Sequence, residues 1–292
     1  MDNISSPISS ISDTARWAAF YRAQETERPD AVFNDPFARS LAGELGEEIA
    51  RRVTFSTENS WSWIARTYLF DHFILSNLQT GTDMVINLAA GLDARPYRMA
   101  LPGSLKWIEV DLPEILEHKK QVLAPYEPKC LLERIAVDLS NVAARRELFS
   151  QLSRRSNNSL VITEGLVIYF TRDQVTAFAE DLAVQDSFQH WILDLSSPGL
   201  LKMLSKKMGS QMGPGAVLKF APAEGPAFFE KYGWRPTETR SIFKTAAKIN
   251  RLTLFMKLMS ALTPEVPTEK QSSRPWGGVT VLANSRTANS VS

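Results

Sequence analysis

Met84-Val-Ile-Asn-Leu-Ala-Ala-Gly-Leu-Asp-Ala-Arg95 is the stretch of sequence that decides the fold. Its first five residues are a short apolar run with β-branched side chains, which is typical of a buried strand in a parallel sheet. The small residues Ala89, Ala90 and Gly91 come next. They predict a sharp turn close to a ligand, because a bulky side chain would not fit there.

A second apolar run, residues 105–110, ends on Asp111, twenty residues after Gly91. A small-residue turn after one strand, and a carboxylate about 20 residues later at the tip of the next, is how a doubly wound α/β sheet holds a nucleoside. The turn lets the backbone approach the ligand, and the carboxylate accepts hydrogen bonds from the ribose hydroxyls. The two runs therefore predict a site for an adenosine-type cofactor.

The residues of the turn favour S-adenosylmethionine over a nicotinamide dinucleotide. A dinucleotide pyrophosphate requires several glycines in a G-x-G-x-x-G pattern, whereas this turn has one, Gly91, and adds the carboxylate of Asp93. That carboxylate would repel a pyrophosphate but suits a ligand that carries a sulfonium and an ammonium group. A nicotinamide-dependent oxidoreductase and a turn that binds no ligand remain the alternatives at this point.

The overall composition is that of an ordinary soluble globular protein. The 292 residues are 44% hydrophobic and 22% charged, with 33 basic against 32 acidic side chains. The near-zero net charge and the lack of an apolar run of about 18 residues predict neither a nucleic-acid nor a membrane partner. The single cysteine, Cys130, and the spacing of the three histidines predict a cytoplasmic protein without disulfides or a metal site. The sequence does not predict an oligomeric state.

Five further apolar stretches complete a predicted sheet of seven strands. They cover residues 131–137, 160–163, 190–195, 234–242 and 278–283. Helical patterns alternate with the first five strands, which predicts a parallel sheet. The last two strands suggest a hairpin at the sheet edge, with a long excursion between them. The predicted fold class is therefore α/β, with a mostly parallel sheet and an antiparallel last strand.

The sequence predicts one domain over residues 12–285, between a disordered tail at 1–11 and a C-terminal tail at 286–292. Helices over residues 12–60 precede the first strand. We expect them to form a lid over the cofactor or to cover one face of the sheet.

Two later segments, residues 196–225 and 243–276, are expected to cap the substrate. Methionine is common in both, and its flexible side chain suits an adaptable apolar pocket. Packing in an ordinary core is the commoner role of such residues. The methionines concerned are Met203, Met208, Met212, Met256 and Met259.

Several charged residues stand close to the predicted strand ends. Arg66, in a predicted helix, is either a solvated charge or a partner for the carboxylate of the cofactor's methionine moiety. Asp138 follows the third strand and either accepts from the adenine amino group or caps the next helix. Glu164 follows the fourth strand, and ligands of open α/β sheets bind beyond the carboxyl ends of the strands. The helix after the second strand is expected to expose Lys119 and its basic neighbours.

These motifs resemble the leucine carboxyl methyltransferase family, a branch of the class I S-adenosylmethionine-dependent methyltransferases. The resemblance covers nearly the whole chain and consists of several motifs in order and at compatible spacing. They are Thr14-Ala15, Arg22-Ala23-x-Glu25-x-Glu27-Arg28-Pro29-Asp30, Asn34-Asp35-Pro36, Ala65-Arg66-Thr67, Gly91-Leu92-Asp93-x-Arg95, Glu109-Val110-Asp111-x-Pro113, Val137-Asp138-Leu139, Glu164-Gly165-Leu166-x-x-Tyr169 and Tyr232-Gly233-Trp234. The early helices look more like the bacterial members, which include polyketide carboxyl O-methyltransferases, than the eukaryotic phosphatase-modifying ones.

The resemblance implies a Rossmann-like class I methyltransferase fold with S-adenosylmethionine as the cofactor. It implies that Arg66 meets the cofactor carboxylate and that Gly91 lies under the methionine moiety. It also implies that Asp111 holds the ribose and that Glu164 lies near the methionine end of the cofactor.

Asp138 and Leu139 are implied, by the same resemblance, to border the adenine. Ala89 is a departure, because the family usually has Gly-x-Gly in this turn. The added methyl group puts the affinity for the cofactor in question.

The resemblance indicates methyl transfer to an oxygen of a small molecule, a carboxylate or a phenol, with a polyketide-like secondary metabolite as the expected acceptor. Such a transfer is an in-line displacement, so alignment of the reacting atoms is the enzyme's main contribution. Tyr169 is the candidate for orienting the acceptor, and its alternative role is a half-buried aromatic. A protein that binds the cofactor without catalysis is a further alternative, suggested by Ala89.

Overall fold

The computed structural model describes residue 8 and residues 11–53 and 59–286. It contains one sheet of seven strands, and the predicted number and places of the strands are confirmed. The strands are β1 (Met84–Leu88), β2 (Lys106–Asp111), β3 (Leu131–Ala136), β4 (Ser159–Thr163), β5 (Phe188–Ser196), β6 (Trp234–Ser241) and β7 (Gly277–Asn284).

The helices alternate with the strands up to β5 and then form the connections around the last two strands. They are α1 (Ile11–Thr26), α2 (Ala38–Arg52), α3 (Ser60–Leu78), α4 (Arg95–Arg98), α5 (Pro113–Leu123), α6 (Val142–Ser153), α7 (Arg172–Ala183), α8 (Pro198–Met208), α9 (Ile242–Lys248) and α10 (Leu254–Ala261). Short 3₁₀ turns occur at Val167–Tyr169, Gly209–Gln211, Pro214–Ala216, Gly225–Tyr232 and Glu269–Gln271. None of the helices in the described residues is long and apolar enough to cross a membrane.

The strand order is β3-β2-β1-β4-β5-β7-β6. Strands β1 to β5 pair in parallel, whereas β7 lies antiparallel between β5 and β6. The expected antiparallel last strand and the hairpin at the sheet edge are confirmed. The order reverses between β1 and β4, and open α/β sheets bind ligands at such a switch point.

The sheet is covered by helices on both faces. The side chains of β1 alternate between the two faces and pack in a different apolar cluster on each. Met84, Ile86 and Leu88 pack in a cluster with side chains of α6 and α7. Val85 packs in a second cluster with side chains of α3, including Phe70. All five residues of β1 are buried, which fits the continuous apolar run seen in the sequence.

The N-terminal helices lie over the turn that follows β1. Trp17 and Tyr21 of α1 contact the ring of Trp63 in α3, with ring centroids 5.1 and 6.0 Å apart respectively. A methyl group placed on Gly91 would lie 3.2 Å from the Cβ of Ala15. Helix α1 therefore approaches the turn closely, and its role as a lid stays a prediction.

The expected N-terminal tail falls mostly outside the described residues, but it is wrong at Ile8 and Ile11. Ile8 is fully buried and forms a parallel bridge with Met212, and Ile11 begins α1. Burial of an isoleucine side chain favours this ordered contact over a free tail. The predicted C-terminal tail, apart from Arg286, also lies outside the described residues.

Helix α5 corrects a second expectation, because Lys119 is fully buried. Its ammonium group donates to Glu109 at 2.6 Å, and Arg134 donates to the same carboxylate at 2.9 Å. A buried ammonium must be paired with an acid. The basic run of α5 is therefore not a uniformly exposed face, since one of its lysines points at strand β2.

Candidate functional site

A cavity of about 380 Å³ opens at the carboxyl ends of β1 to β5. This volume falls in the range of small-molecule sites in proteins. Eight residues proposed from the sequence line it together, although they are spread over about 100 positions of the chain. They are Arg66, Ala89, Gly91, Asp111, Asp138, Leu139, Glu164 and Tyr169.

The predicted sharp turn after β1 is present, and its backbone is left-handed at two residues, one of which is not glycine. Ala89 has φ 55° and Gly91 has φ 48°. This conformation costs an L-residue roughly 1–2 kcal/mol because its Cβ crowds the following carbonyl. The turn keeps its shape because Ala90 donates to the carbonyl of Val110 at 3.1 Å. Ala89 therefore adopts the backbone that a glycine would have, with local strain.

Asp111 joins the tip of β2 to this turn. One carboxylate oxygen accepts from the Gly91 amide at 2.6 Å, and the other accepts from the Leu112 amide at 2.7 Å. Burial raises the pKa of Asp111 from its ordinary value, and the two backbone hydrogen bonds oppose that rise. Each carboxylate oxygen has a further lone pair, so the group can still accept from a ligand.

The guanidinium of Arg95 lies buried at the base of the site among three carboxylates. It donates to Asp71 at 2.6 Å, to Asp93 at 3.0 Å and to Glu164 at 2.9 Å. Burial opposes its charge, but the carboxylates of Asp93, Glu164 and Asp71 outweigh that effect and raise the pKa of Arg95 well above its ordinary value. Arg98 extends the cluster with two bonds of 2.7 Å to Asp71.

The pairing of Asp93 corrects one step of the sequence argument. Its carboxylate accepts from Arg95 and from the Asn87 amide at 2.8 Å. Burial favours its neutral form, but Arg95 and the other nearby cations lower the pKa of Asp93 to about 2. Because Arg95 compensates its charge, Asp93 by itself does not repel an anionic ligand as we expected.

Arg66 lies between two acids at the ends of β4 and β5. Its guanidinium donates to Glu164 at 3.1 Å and to Asp194 at 3.4 Å, and it lies 4.8 Å from the centre of the Trp63 ring. Burial opposes the charge, but Asp194 and Glu164 raise the pKa of Arg66. These contacts use two of the five guanidinium N–H groups, which leaves donors for a ligand carboxylate.

Asp194 is a site residue that the sequence argument missed. It lines the cavity and accepts from the Gly165 amide at 2.6 Å. Burial raises its pKa despite the nearby Arg66. Its signal was present in the sequence, since Asp194 lies near the carboxyl end of a predicted parallel strand, as Glu164 does. Arg95 belongs to one of the motifs of the resemblance, but the sequence assigned it no role, because only the folded chain surrounds it with acids.

Tyr169 ends the 3₁₀ turn after β4 and is half-buried beside the cavity. Removal from water raises the pKa of Tyr169, opposed by a hydrogen bond with Thr14 and by the charge of Arg66. The hydroxyl therefore stays protonated at neutral pH. It can donate a hydrogen bond but is a poor base.

Asp138 and Leu139 line the opposite end of the cavity. The cap of the next helix is Asn141, whose side chain accepts from the Ala144 amide. Asp138 instead accepts from the Ser140 amide at 2.8 Å and is exposed. Of the two roles considered for Asp138, helix capping is therefore excluded.

A third part of the lining is apolar and comes mainly from α8 and the segment after it. Met208 and Met212 line the cavity, whereas Met203, Met256 and Met259 do not. The other apolar members are Leu200, Leu204, Leu218 and Ile242. Residues of the segment 196–225 thus line the cavity, and their role in capping a substrate stays a prediction. No residue of 243–276 lines this cavity.

The charged residues that line the cavity carry an excess of negative charge. Five are acids, namely Asp93, Asp111, Asp138, Glu164 and Asp194, and three are the arginines Arg22, Arg66 and Arg95. This balance suits S-adenosylmethionine, whose sulfonium and ammonium charges exceed its single carboxylate, better than an anionic pyrophosphate. The charges of the whole lining therefore favour S-adenosylmethionine over a nicotinamide dinucleotide, although Asp93 alone does not.

Comparison with known proteins agrees with this geometry. The family described as leucine carboxyl methyltransferase matches residues 15–183. A Mycobacteroides abscessus protein named "Putative S-adenosyl-L-methionine-dependent methyltransferase" is 34% identical over 282 residues, covering 92% of this chain and 80% of its own. A similarly named Parafrankia protein is 29% identical over 255 residues, covering 79% of each chain.

Two solved structures share the fold. A DUF574 family protein from Streptomyces avermitilis superposes with a TM-score of 0.57 and 10% identity, covering 93% of this chain and 97% of its own. A Thermobifida fusca protein described as a "putative methyltransferase" superposes with a TM-score of 0.55 and 14% identity, covering 97% of each chain.

We predict that Ala89→Gly raises the free energy of unfolding by about 0.5–1 kcal/mol, because relief of the left-handed strain exceeds the entropy that glycine adds to the unfolded chain. Gly91→Ala is the matched opposite. It should lower stability by about 1–2 kcal/mol, since it combines a positive φ with a contact at 3.2 Å to Ala15. Urea unfolding measures both, and a less stable Ala89→Gly variant would contradict the assigned backbone.

We predict that Asp93 contributes about 2 kcal/mol of pH-dependent stability. Its pKa is about 2 in the folded chain and 3.8 ordinarily. The contribution is therefore present above pH 4 and is lost as the pH falls from about 4 towards 2. In urea titrations across this range, Asp93→Asn should be less stable at pH 6 and approach the wild type near pH 2. Asp186→Asn, at an exposed acid, should follow the wild type throughout.

Proposed function

The chain belongs to the leucine carboxyl methyltransferase family and is an S-adenosylmethionine-dependent methyltransferase, and we propose that it methylates an oxygen of a small apolar molecule. The observation that carries the acceptor class is the apolar part of the lining, formed by α8, Met212, Leu218 and Ile242. A phenol or carboxylate on a polyketide-like body matches this lining. We further propose a cytoplasmic location, in line with the single cysteine of the chain.

The proposed cofactor contacts follow from the chemistry of each end of the cavity. When bound, S-adenosylmethionine supplies an electrophilic methyl group on a sulfonium. Asp111 would accept from the ribose hydroxyls, and Arg66 would donate to the amino-acid carboxylate. Glu164 would lie near the ammonium end, while the turn at Gly91 would lie beneath the methionine moiety.

At the other end of the cavity, Asp138 and Leu139 would border the adenine. Asp138 has an exposed carboxylate that can accept from the adenine amino group. Leu139 is buried and offers an apolar surface to one face of the ring. This pair supports adenine binding at the tip of β3.

The acceptor would meet a site that binds it by apolar contact and aligns its oxygen. Charge disappears during the transfer, so a water-poor environment favours the reaction and alignment is the main requirement. A carboxylate is already ionised at pH 7 and needs no base. Tyr169 would donate a hydrogen bond that orients the acceptor, in keeping with its raised pKa.

A protein that binds the cofactor without catalysis was suggested by Ala89, and the structure weakens the reason for it. Ala89 adopts the left-handed φ of 55° that the turn requires. The methyl group therefore strains a turn that still has the left-handed backbone that a glycine would adopt. The nicotinamide alternative is not supported, because the family is one of methyltransferases.

We predict that Asp111→Asn weakens binding of S-adenosylhomocysteine by about tenfold to a hundredfold, because a hydrogen bond to a charged group contributes about 1.5–3 kcal/mol. Isothermal titration calorimetry measures the change. Glu114→Gln, at an exposed acid three residues further along the chain, is the control and should bind like the wild type. Equal affinity in Asp111→Asn, with an unchanged circular dichroism spectrum, would remove Asp111 from the site.

We predict that Tyr169→Phe lowers turnover by about tenfold or more while affinity for S-adenosylhomocysteine changes little, since an orienting contact acts mainly on the transition state. Transfer of labelled methyl to a panel of alkylphenols and long-chain carboxylic acids measures turnover. Tyr126→Phe, at an exposed tyrosine, is the control. Unchanged turnover in Tyr169→Phe would leave it a packing residue.

A further inference from the structure

Helix α10 presents an apolar face to solvent. Four side chains of this helix and that of Leu262, the residue after it, are among the most exposed large hydrophobic groups in the described part of the chain. They are Leu254 (77% exposed), Phe255 (71%), Leu258 (63%), Met259 (45%) and Leu262 (81%). At about 100° per residue these positions fall within an arc of about 140°, so they form one continuous stripe.

The opposite side of α10 is packed, so the exposure does not come from a detached helix. Met256 packs against a cluster that contains Ala65, Ala246 and Leu252, and Ser260 is buried. Thr253 caps the helix by accepting from the Met256 amide. The helix is thus held in place with its apolar stripe outward. Soluble monomers rarely expose a contiguous patch of this kind unless it binds something.

The segment that carries the stripe is basic. Residues 243–276 contain six basic and two acidic side chains, whereas the whole chain has a net charge of only +1. Two of the six are paired, Arg251 with Glu25 and Asp30 and Lys244 with Glu265.

Among the described residues, the other four cations, Lys248, Lys257, Lys270 and Arg274, have no carboxylate within ion-pair distance. Lys257 lies in α10 itself and donates a hydrogen bond to Asn250 Oδ1 at 2.8 Å. An apolar helix face combined with basic residues in the same segment is typical of a helix that lies in the interface of an anionic membrane.

The stripe also lies near the part of the chain that forms the cavity. Trp61 belongs to the same cluster as Met256, and it is followed in α3 by Ser62 and Trp63, which line the cavity. Ile242, at the start of α9, joins the cluster and the lining as well. A surface that the stripe contacts would therefore lie close to the elements around the apolar part of the site.

We propose that the apolar stripe of α10 docks the protein on an anionic lipid surface. Insertion of five large apolar side chains supplies the hydrophobic term, and the basic side chains that have no carboxylate partner supply attraction to the headgroups. Charge selects this occupant over a second copy of the chain, because two copies would bring together the four cations of each segment that have no carboxylate partner, and these would repel each other. The near-zero net charge of the whole chain predicted no membrane partner. That net charge hides the uneven distribution of basic residues, which are concentrated in this segment.

Docking would bring the enzyme to a lipophilic methyl acceptor that is concentrated in the same membrane. This benefit to the enzyme rests on the proposed function. The docking itself is independent of methyl transfer. Its experiment therefore measures binding alone, and its failure leaves the proposed function untouched.

The experiment is co-sedimentation of the full chain with vesicles of phosphatidylcholine alone or mixed with phosphatidylglycerol. We expect binding to the mixed vesicles, weakened by 0.5 M salt, and at least a tenfold weaker apparent affinity for the Phe255→Glu and Leu258→Glu variants. Val184→Glu replaces an apolar residue that is 55% exposed on another surface, and it should bind like the wild type.

Three outcomes would overturn the proposal. The first is that the wild type binds neither kind of vesicle. The second is a dimer in sedimentation-velocity experiments that Leu258→Glu dissociates, which would make the stripe an interface between copies. The third is a large fall in the melting temperature of Leu258→Glu but not of Val184→Glu, which would mean that the folded chain itself covers the stripe.

Discussion

The arrangement of the site depends on one buried cation, the guanidinium of Arg95. It is only 2% exposed, and burial of a charge is tolerated when acids surround it. Its three acids come from α3, from the turn after β1 and from the end of β4, so one group fixes the relative positions of three elements. Glu164, held in this way, then positions Arg66. The charges that face a ligand are thus fixed before the ligand arrives, which is the condition for electrostatic preorganisation.

Much of this site could be predicted because local sequence controls it. Strand β1 is a continuous buried run, its turn consists of small residues, and Asp111 follows at the spacing that a doubly wound sheet requires. Parallel strands end at one edge of the sheet, so Asp138 and Glu164 had to lie near Asp111. The antiparallel position of the last strand followed from the break in the alternation of strands and helices after β5.

The rest depended on contacts between residues that are distant along the chain. Asp71 and Arg95 are 24 positions apart, and Arg66 and Asp194 are 128 apart, so no local pattern records either pair. The burial of Lys119 depends on Glu109, which is only ten positions away but lies in β2, so the pattern of the helix does not record it. Residues 243–276 were expected over the substrate because of their apolar content, but their most exposed apolar side chains face solvent. An apolar sequence predicts that a helix face is buried against something, but it does not predict whether this is the core, a substrate or another surface.

The position of β7 has a consequence for how the chain folds during synthesis. This strand pairs with β5 over seven residues and with β6 along its other edge, yet it comes last in the sequence. Until residues 277–284 leave the ribosome, β5 has an unpaired edge and β6 has no neighbour in the sheet. Open edges of this kind are sites of aggregation. The nascent chain therefore passes through a stage with an incomplete sheet, and we expect chaperone binding or slow translation of the final segment to affect its yield more than its final stability.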